Sequence, residues 1–155
     1  MMRISKQIRK SAIQLDMKAT GKQEALSEMV DLLCGAYKLK EKDTILDAIR
    51  EREKKQSTGI GVGLAVPHAK TPAVGKLFVA FGLSREGIDF ESIDGEKANL
   101  FFMLVSPRDV SGPHIKALAG ISRLIKHEEV RNSLLECGSV KGFMELIAKA
   151  EEKFL

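Results

Sequence analysis

Between Thr58 and His68 the chain places glycine at 59, 61 and 63, then Leu64-Ala65-Val66, then Pro67. Glycines at alternate positions let a backbone run close to a neighbouring segment or a bound group, because no Cβ stands between them. The three apolar residues predict a short buried strand. Proline has no N–H to give, so Pro67 denies the next step of the ladder, and His68 is expected at a strand end. An imidazole titrates near neutrality, and at such a position it serves as proton carrier, metal ligand or phosphoryl acceptor.

The rest of the chain builds a frame for that segment. Thr20 and Gln23 form a capping-box pattern, after which Ala25, Leu26, Met29, Val30, Leu32, Leu33 and Ala36 recur at helical spacing. Asp43 is expected to cap a second helix with Ile45, Leu46, Ala48 and Ile49 inward, which brings Arg52 to its end just before the glycines. Apolar runs predict strands over 76–83 and 99–105, with turn residues and a minor strand over 88–93 between them. Ser111 as cap and Pro113 in the first turn predict a helix that continues through Leu118 to Ile125. Two more helices, over 130–135 and 140–150, close the chain. Strands mixed with helices imply an α/β fold, a mixed β-sheet flanked by α-helices, with residues 1–155 as a single domain. Within residues 1–10, Arg3, Lys6, Arg9 and Lys10 are expected to make a flexible, solvated edge.

Composition narrows the function. A length of 155 residues with 44% hydrophobic residues can build one core, and with 5% aromatics and no tryptophan that core rests on aliphatic residues and seven phenylalanines. The net charge of +4 arises from interspersed signs, without the basic stripe that nucleic acid requires. No stretch approaches the roughly 20 apolar residues of a membrane span, and no signal peptide opens the chain, so a cytoplasmic protein without membrane insertion is expected. Cys34 and Cys137 lack metal-ligand or redox spacing and are expected as free thiols. The glycine pattern is not that of a dinucleotide loop and no GK[ST] follows, which disfavours direct use of a nucleotide. A metal site on His68 and His114 lacks a third ligand, and His127, between Lys126 and Glu128, reads as solvated surface.

The run Arg52-Glu53, then Thr58-Gly59-Ile60-Gly61, then Gly63-Leu64-Ala65-Val66-Pro67-His68 resembles the active-site signature of IIA components of the bacterial phosphoenolpyruvate-dependent sugar phosphotransferase system, fructose/mannitol type, a family that includes nitrogen-regulatory IIA proteins. Ser111-Gly112-Pro113-His114-Ile115-Lys116-Ala117-Leu118 resembles the place of that family's second histidine. The similarity spans the helix near Leu26 to the closing helix near Leu146, with Ala69 where many relatives have glycine. It implies the mannitol/fructose-type IIA fold and a nucleotide-independent phosphohistidine phosphotransferase without cofactor or metal. His68 would accept a phosphoryl group through Nε2 from HPr or its nitrogen-branch homologue and pass it to a IIB component, or the chain would act as a nitrogen-regulatory IIA protein. The other reading is a regulator whose phosphorylation state selects a protein partner, with no obligatory transfer.

Phosphoryl transfer spreads charge over three equatorial oxygens, so the site needs fixed donors more than covalent chemistry. Arg52 offers a planar two-pronged donor, and His114 offers an N–H at a helix start. Gly59 and Gly61 are expected to admit backbone amides, with Thr58 as a weaker hydroxyl donor. Ala69, Pro72 and Ile115 are expected to form an apolar docking patch rimmed by Lys70, Arg108 and Lys116.

Overall fold

The structure is a computed structural model and describes residues 2–155. Its centre is an antiparallel pair, β5 (Phe78–Ile88) and β6 (Ala98–Ser106), registered from Phe78 opposite Val105 to Leu83 opposite Leu100. β6 and β5 as far as Ser84 are buried on both faces, which explains their near-continuous apolarity, whereas Arg85 and Glu86 of β5 are exposed. Successive side chains show what covers each face. Phe81 stacks on Phe143 of α6 (Val140–Phe154), whereas a Cβ on the next residue, Gly82, would lie 2.5 Å from the sulfur of Met29 in α2 (Lys22–Tyr37). Helices therefore lie on both sides of the sheet.

Strand order is β1-β5-β6-β3-β2, where β1 is Ile13–Gln14, β2 Gly59–Gly61 and β3 Leu64–Ala65. On the β3 side of β6 the chain pairs twice. Both β3 and β4 (His68–Lys70) run parallel to β6, on either side of Pro67, and Leu104 N–H donates to the Pro67 carbonyl at 3.1 Å across the gap. His68 thus opens a second short strand opposite Leu104, where the sequence placed it at the end of the first. Proline cost the ladder one rung and left the direction unchanged.

Element ends differ from the sequence expectations in instructive ways. α2 starts at Lys22 with Gly21 as its cap, and α3 (Lys42–Lys55) starts after Glu41, which leaves Asp43 in the first turn. In α4 (Gly112–Ile125) Ser111 is the capping residue, yet its hydroxyl accepts from Lys70 Nζ at 2.8 Å and makes no cap bond. No separate strand forms over 88–93: β5 reaches Ile88 through an irregular register, and the following residues turn. α5 (Glu128–Leu135) begins after His127, whose ring stacks on Phe154 with centroids 3.6 Å apart, so this histidine is not simply solvated. Cys34 and Cys137 are buried free thiols.

The N-terminal segment is docked rather than flexible and solvated. Ile4 and Ile8 are buried, and α1 (Ile4–Gln7) presents the Ile4 and Ser5 N–H groups and the Ser5 hydroxyl to the carboxylate of Glu151 in α6. Two isoleucines four apart hold this turn to the core, while Lys6, Arg9 and Lys10 remain outside. Glu151 is itself fully buried, so removing it leaves donors without an acceptor. Glu151→Ala is expected to cost about 1–3 kcal/mol. The checks are a lowered urea midpoint and faster amide exchange confined first to α1.

Candidate active site

The glycines of the signature answer to the chain's own geometry. Gly61 and Gly63 have φ of 101° and 80°, which supply the left-handed turn between β2 and β3. A Cβ on Gly59 would fall 2.4 Å from the Ser92 hydroxyl oxygen and 2.9 Å from Ser92 Cα, so this residue is glycine because the 89–95 turn crosses it closely. Neither Gly59 nor Gly61 lines the cavity that His68 faces. Ala69 sits in ordinary strand geometry opposite Val105, where a methyl group is accommodated.

That cavity, about 700 Å³, lies between α3, β4 and the start of α4. His68, His114 and Arg52 all line it, together with Lys70 and Arg108. The two imidazoles meet edge to face, with centroids 5.4 Å apart. Thr58 does not join them. Its N–H and hydroxyl donate to the carboxylate of Glu53 at 2.8 and 2.6 Å, and its side chain is buried away from the cavity.

Hydrogen bonding fixes the chemical form of His68. Nδ1 lies 2.7 Å from the Val66 carbonyl oxygen. A carbonyl only accepts, so Nδ1 carries the proton and Nε2 keeps its lone pair. Burial lowers the His68 pKa below its usual 6.5 and Arg52 pushes the same way, against the Val66 bond and Glu53. His68 is therefore a neutral imidazole at cellular pH, with a lone pair on Nε2. His114 is only 4% exposed, and burial, then His68 and Lys70, lower its pKa to about 4. Two imidazoles this close cannot both be charged cheaply.

A stability consequence follows from His114. Its folded pKa is depressed, so between 6.5 and about 4 the unfolded chain binds the extra proton and stability falls as pH falls. The loss attributable to His114 on going from pH 7 to pH 4.5 is expected to be about 2–3 kcal/mol. Urea unfolding at both values, in wild type and in His114→Asn, isolates it: the variant should show the smaller loss.

Two residues the sequence did not single out complete the site. Glu53, next to Arg52, is a buried carboxylate that also pairs with Lys22 Nζ at 3.1 Å. By holding Thr58 it sets the Thr58 carbonyl that accepts Val66 N–H at 2.9 Å, and Val66 in turn holds His68. An acid at a helix end with threonine five residues on was the available signal. Ser106, the last residue of β6, is fully buried with Oγ 2.6 Å from His114 Nδ1, and no sequence pattern marked it. Arg52 gives Nη1 to the Gln56 carbonyl at 2.9 Å, so part of its guanidinium is spent on the loop.

Around the mouth, Ile115 is 61% exposed and Pro72 is also exposed, whereas Ala69 is buried and adds nothing to a surface patch. Lys70 and Arg108 line the cavity; Lys116 is exposed on α4 and borders a separate groove. Among the described residues no three His, Cys, Asp or Glu side chains converge as metal ligands do, and no helix is long and apolar enough to cross a membrane.

An α/β layer that presents an unprotonated imidazole nitrogen among guanidinium, imidazole and ammonium donors defines a domain suited to carry an anionic group on histidine. The chain belongs to the family described as phosphoenolpyruvate-dependent sugar phosphotransferase system, EIIA 2, which matches residues 6–150. It is 39% identical over 146 residues to the PTS system fructose-specific EIIABC component of Bacillus subtilis, covering 94% of this chain but only 23% of that longer protein. Among solved structures it is similar to the nitrogen regulatory protein IIA-Ntr of Neisseria meningitidis, with TM-score 0.86, 28% identity and coverage of 93% and 98% of the two chains. It is also similar to the Escherichia coli mannitol IIA enzyme determined in complex with phosphorylated mannitol IIB, with TM-score 0.76, 27% identity and coverage of 90% and 95%.

Proposed function

We propose that His68 is the phosphoryl-carrying residue of a phosphotransferase-system IIA protein, served by Arg52 and His114. The observation that carries this reading is the Nδ1 bond to the Val66 carbonyl, which leaves the Nε2 lone pair free in a cavity lined by Arg52, Lys55, Lys70 and Arg108 alongside the acids Asp47 and Glu51. Nε2 attacks the phosphorus of a phosphohistidine on an HPr-type donor. As the new N–P bond forms, the donor's N–P bond breaks and its electron pair returns to the donor imidazole. Nε2 bears no proton, so none has to leave before attack. The positive charge that develops on the His68 ring is shared through Nδ1–H with the Val66 carbonyl. Arg52 and a His114 N–H receive the oxygens of the transferring group, whose loose transition state makes such donors the main catalytic means.

Onward transfer reverses these steps toward an acceptor. The complex of the similar Escherichia coli protein with phosphorylated IIB supports a IIB component in that role. The described fold and the matched span support residues 1–155 acting as one IIA unit in the cytoplasm. The test is direct: incubate the protein with phosphoenolpyruvate, enzyme I and HPr, map the acid-labile phosphate, then add a IIB domain. Phosphate on His68 that discharges to IIB is expected. Label on another residue would overturn the assignment, and label that stays on His68 would overturn the transfer step.

A further inference from the structure

A neutral imidazole donates only from the nitrogen that holds its proton, and what Nδ1 meets decides which nitrogen that is. For His114 it meets Ser106 Oγ at 2.6 Å. The Ser106 side chain is fully buried, and among the described residues its hydroxyl has no other hydrogen-bond partner. Suppose Nδ1 held the proton. Ser106 would then accept, its own hydroxyl hydrogen would be buried with no acceptor, and His114 would turn a bare lone pair toward the cavity where anionic oxygens arrive. Each of these is unfavourable. With the hydroxyl donating, Nδ1 is satisfied, the hydroxyl hydrogen is used, and Nε2–H is left for the cavity.

We propose that Ser106 is a positioning residue: its hydroxyl donates to His114 Nδ1 and so holds the imidazole in the Nε2–H form, aimed at a phosphoryl group on His68. The role of that N–H rests on the carrier reading of His68. Ser106 is well placed for the task because its backbone is itself fixed. It pairs with Lys70 across the ladder, and its carbonyl accepts Thr71 N–H at 2.9 Å. The strand that carries His68 thus also anchors the residue that orients His114, and the two imidazoles are referred to one ladder.

Long-range proton–nitrogen NMR of the unphosphorylated protein reads both tautomers before any transfer occurs. Wild type is expected to show His114 with Nδ1 bare and Nε2 protonated. In Ser106→Ala both His114 tautomers should appear, and single-turnover acceptance from phosphorylated HPr should slow by roughly 10-fold, less than the roughly 10²–10³ expected for loss of the donor itself. Half-saturation by the donor and the His68 tautomer should not change, and Ser106→Thr should restore the Nε2–H form. A wild-type His114 protonated at Nδ1 would overturn the proposal without reference to any variant. So would Ser106→Ala with wild-type tautomer and rate. Failure of the carrier reading is a separate result, namely wild-type protein that takes no phosphate on His68.

Discussion

His68→Ala is expected to reduce acid-labile labelling from phosphoenolpyruvate, enzyme I and HPr to background while the fold persists. The large effect on chemistry and the small effect on stability have one cause. His68 spends a single hydrogen bond on the protein, from Nδ1 to the carbonyl two residues back, and turns Nε2 to the cavity. Losing that bond costs about 0.5–1.5 kcal/mol, a modest fraction of a domain's stability. No other histidine can take over. With Ser106 donating to its Nδ1, His114 carries its proton on Nε2 and has no free lone pair for phosphorus, and His127 lies against Phe154 outside the cavity. Mass-spectrometric mapping alongside a urea titration checks both halves, and labelling that persists in a folded His68→Ala protein would sink the carrier assignment.

On the carrier reading, the next largest effects are expected at the residues proposed to donate hydrogen bonds to the phosphoryl oxygens. Arg52→Ala and His114→Ala are each expected to slow single-turnover acceptance by roughly 10²–10³, with His68 still labelled on long incubation. Arg52→Lys should recover only part of the loss, since an ammonium is a point charge and cannot present two parallel N–H groups to two oxygens. Some of the Arg52 effect will also come from the loop that its Nη1 bond to Gln56 holds. Rapid-quench kinetics at saturating phosphorylated HPr measures these rates; wild-type values in both folded alanine variants would remove the residues from the reaction.

Much of this was legible in the sequence because it depends on local pattern. The apolar runs of β5 and β6, the helical spacing of α2 and the Pro-His pair of α4 are each written within a dozen or so residues, and the matched signature brought Arg52, His68 and His114 together. Contacts between distant segments were not legible. The Glu151 carboxylate that seats Ile4 is 147 residues away from it, and nothing near either residue announces the other. The glycines misled for a related reason: a residue without a side chain signals that something approaches closely, not what it is, and at Gly59 the neighbour is Ser92. Thr58 looked like a hydroxyl donor to phosphate because the sequence does not show that Glu53, five residues before it, takes both its N–H and its hydroxyl. Helix starts shifted by a residue or two because several polar residues compete at each one and packing decides among them.

The double parallel pairing of β3 and β4 on β6 also orders events during synthesis. Chains emerge from the amino end and fold as segments become available. A nascent chain ending before residue 98 already contains His68 but lacks the strand that β4 pairs with, and α4, which brings His114, is not complete until residue 125. The burial that lowers the pKa of the histidine arrives with those later segments. On the carrier reading, competence to receive phosphate therefore comes only once those later segments are in place, and an unfinished or unfolded copy offers the donor an ordinary exposed imidazole.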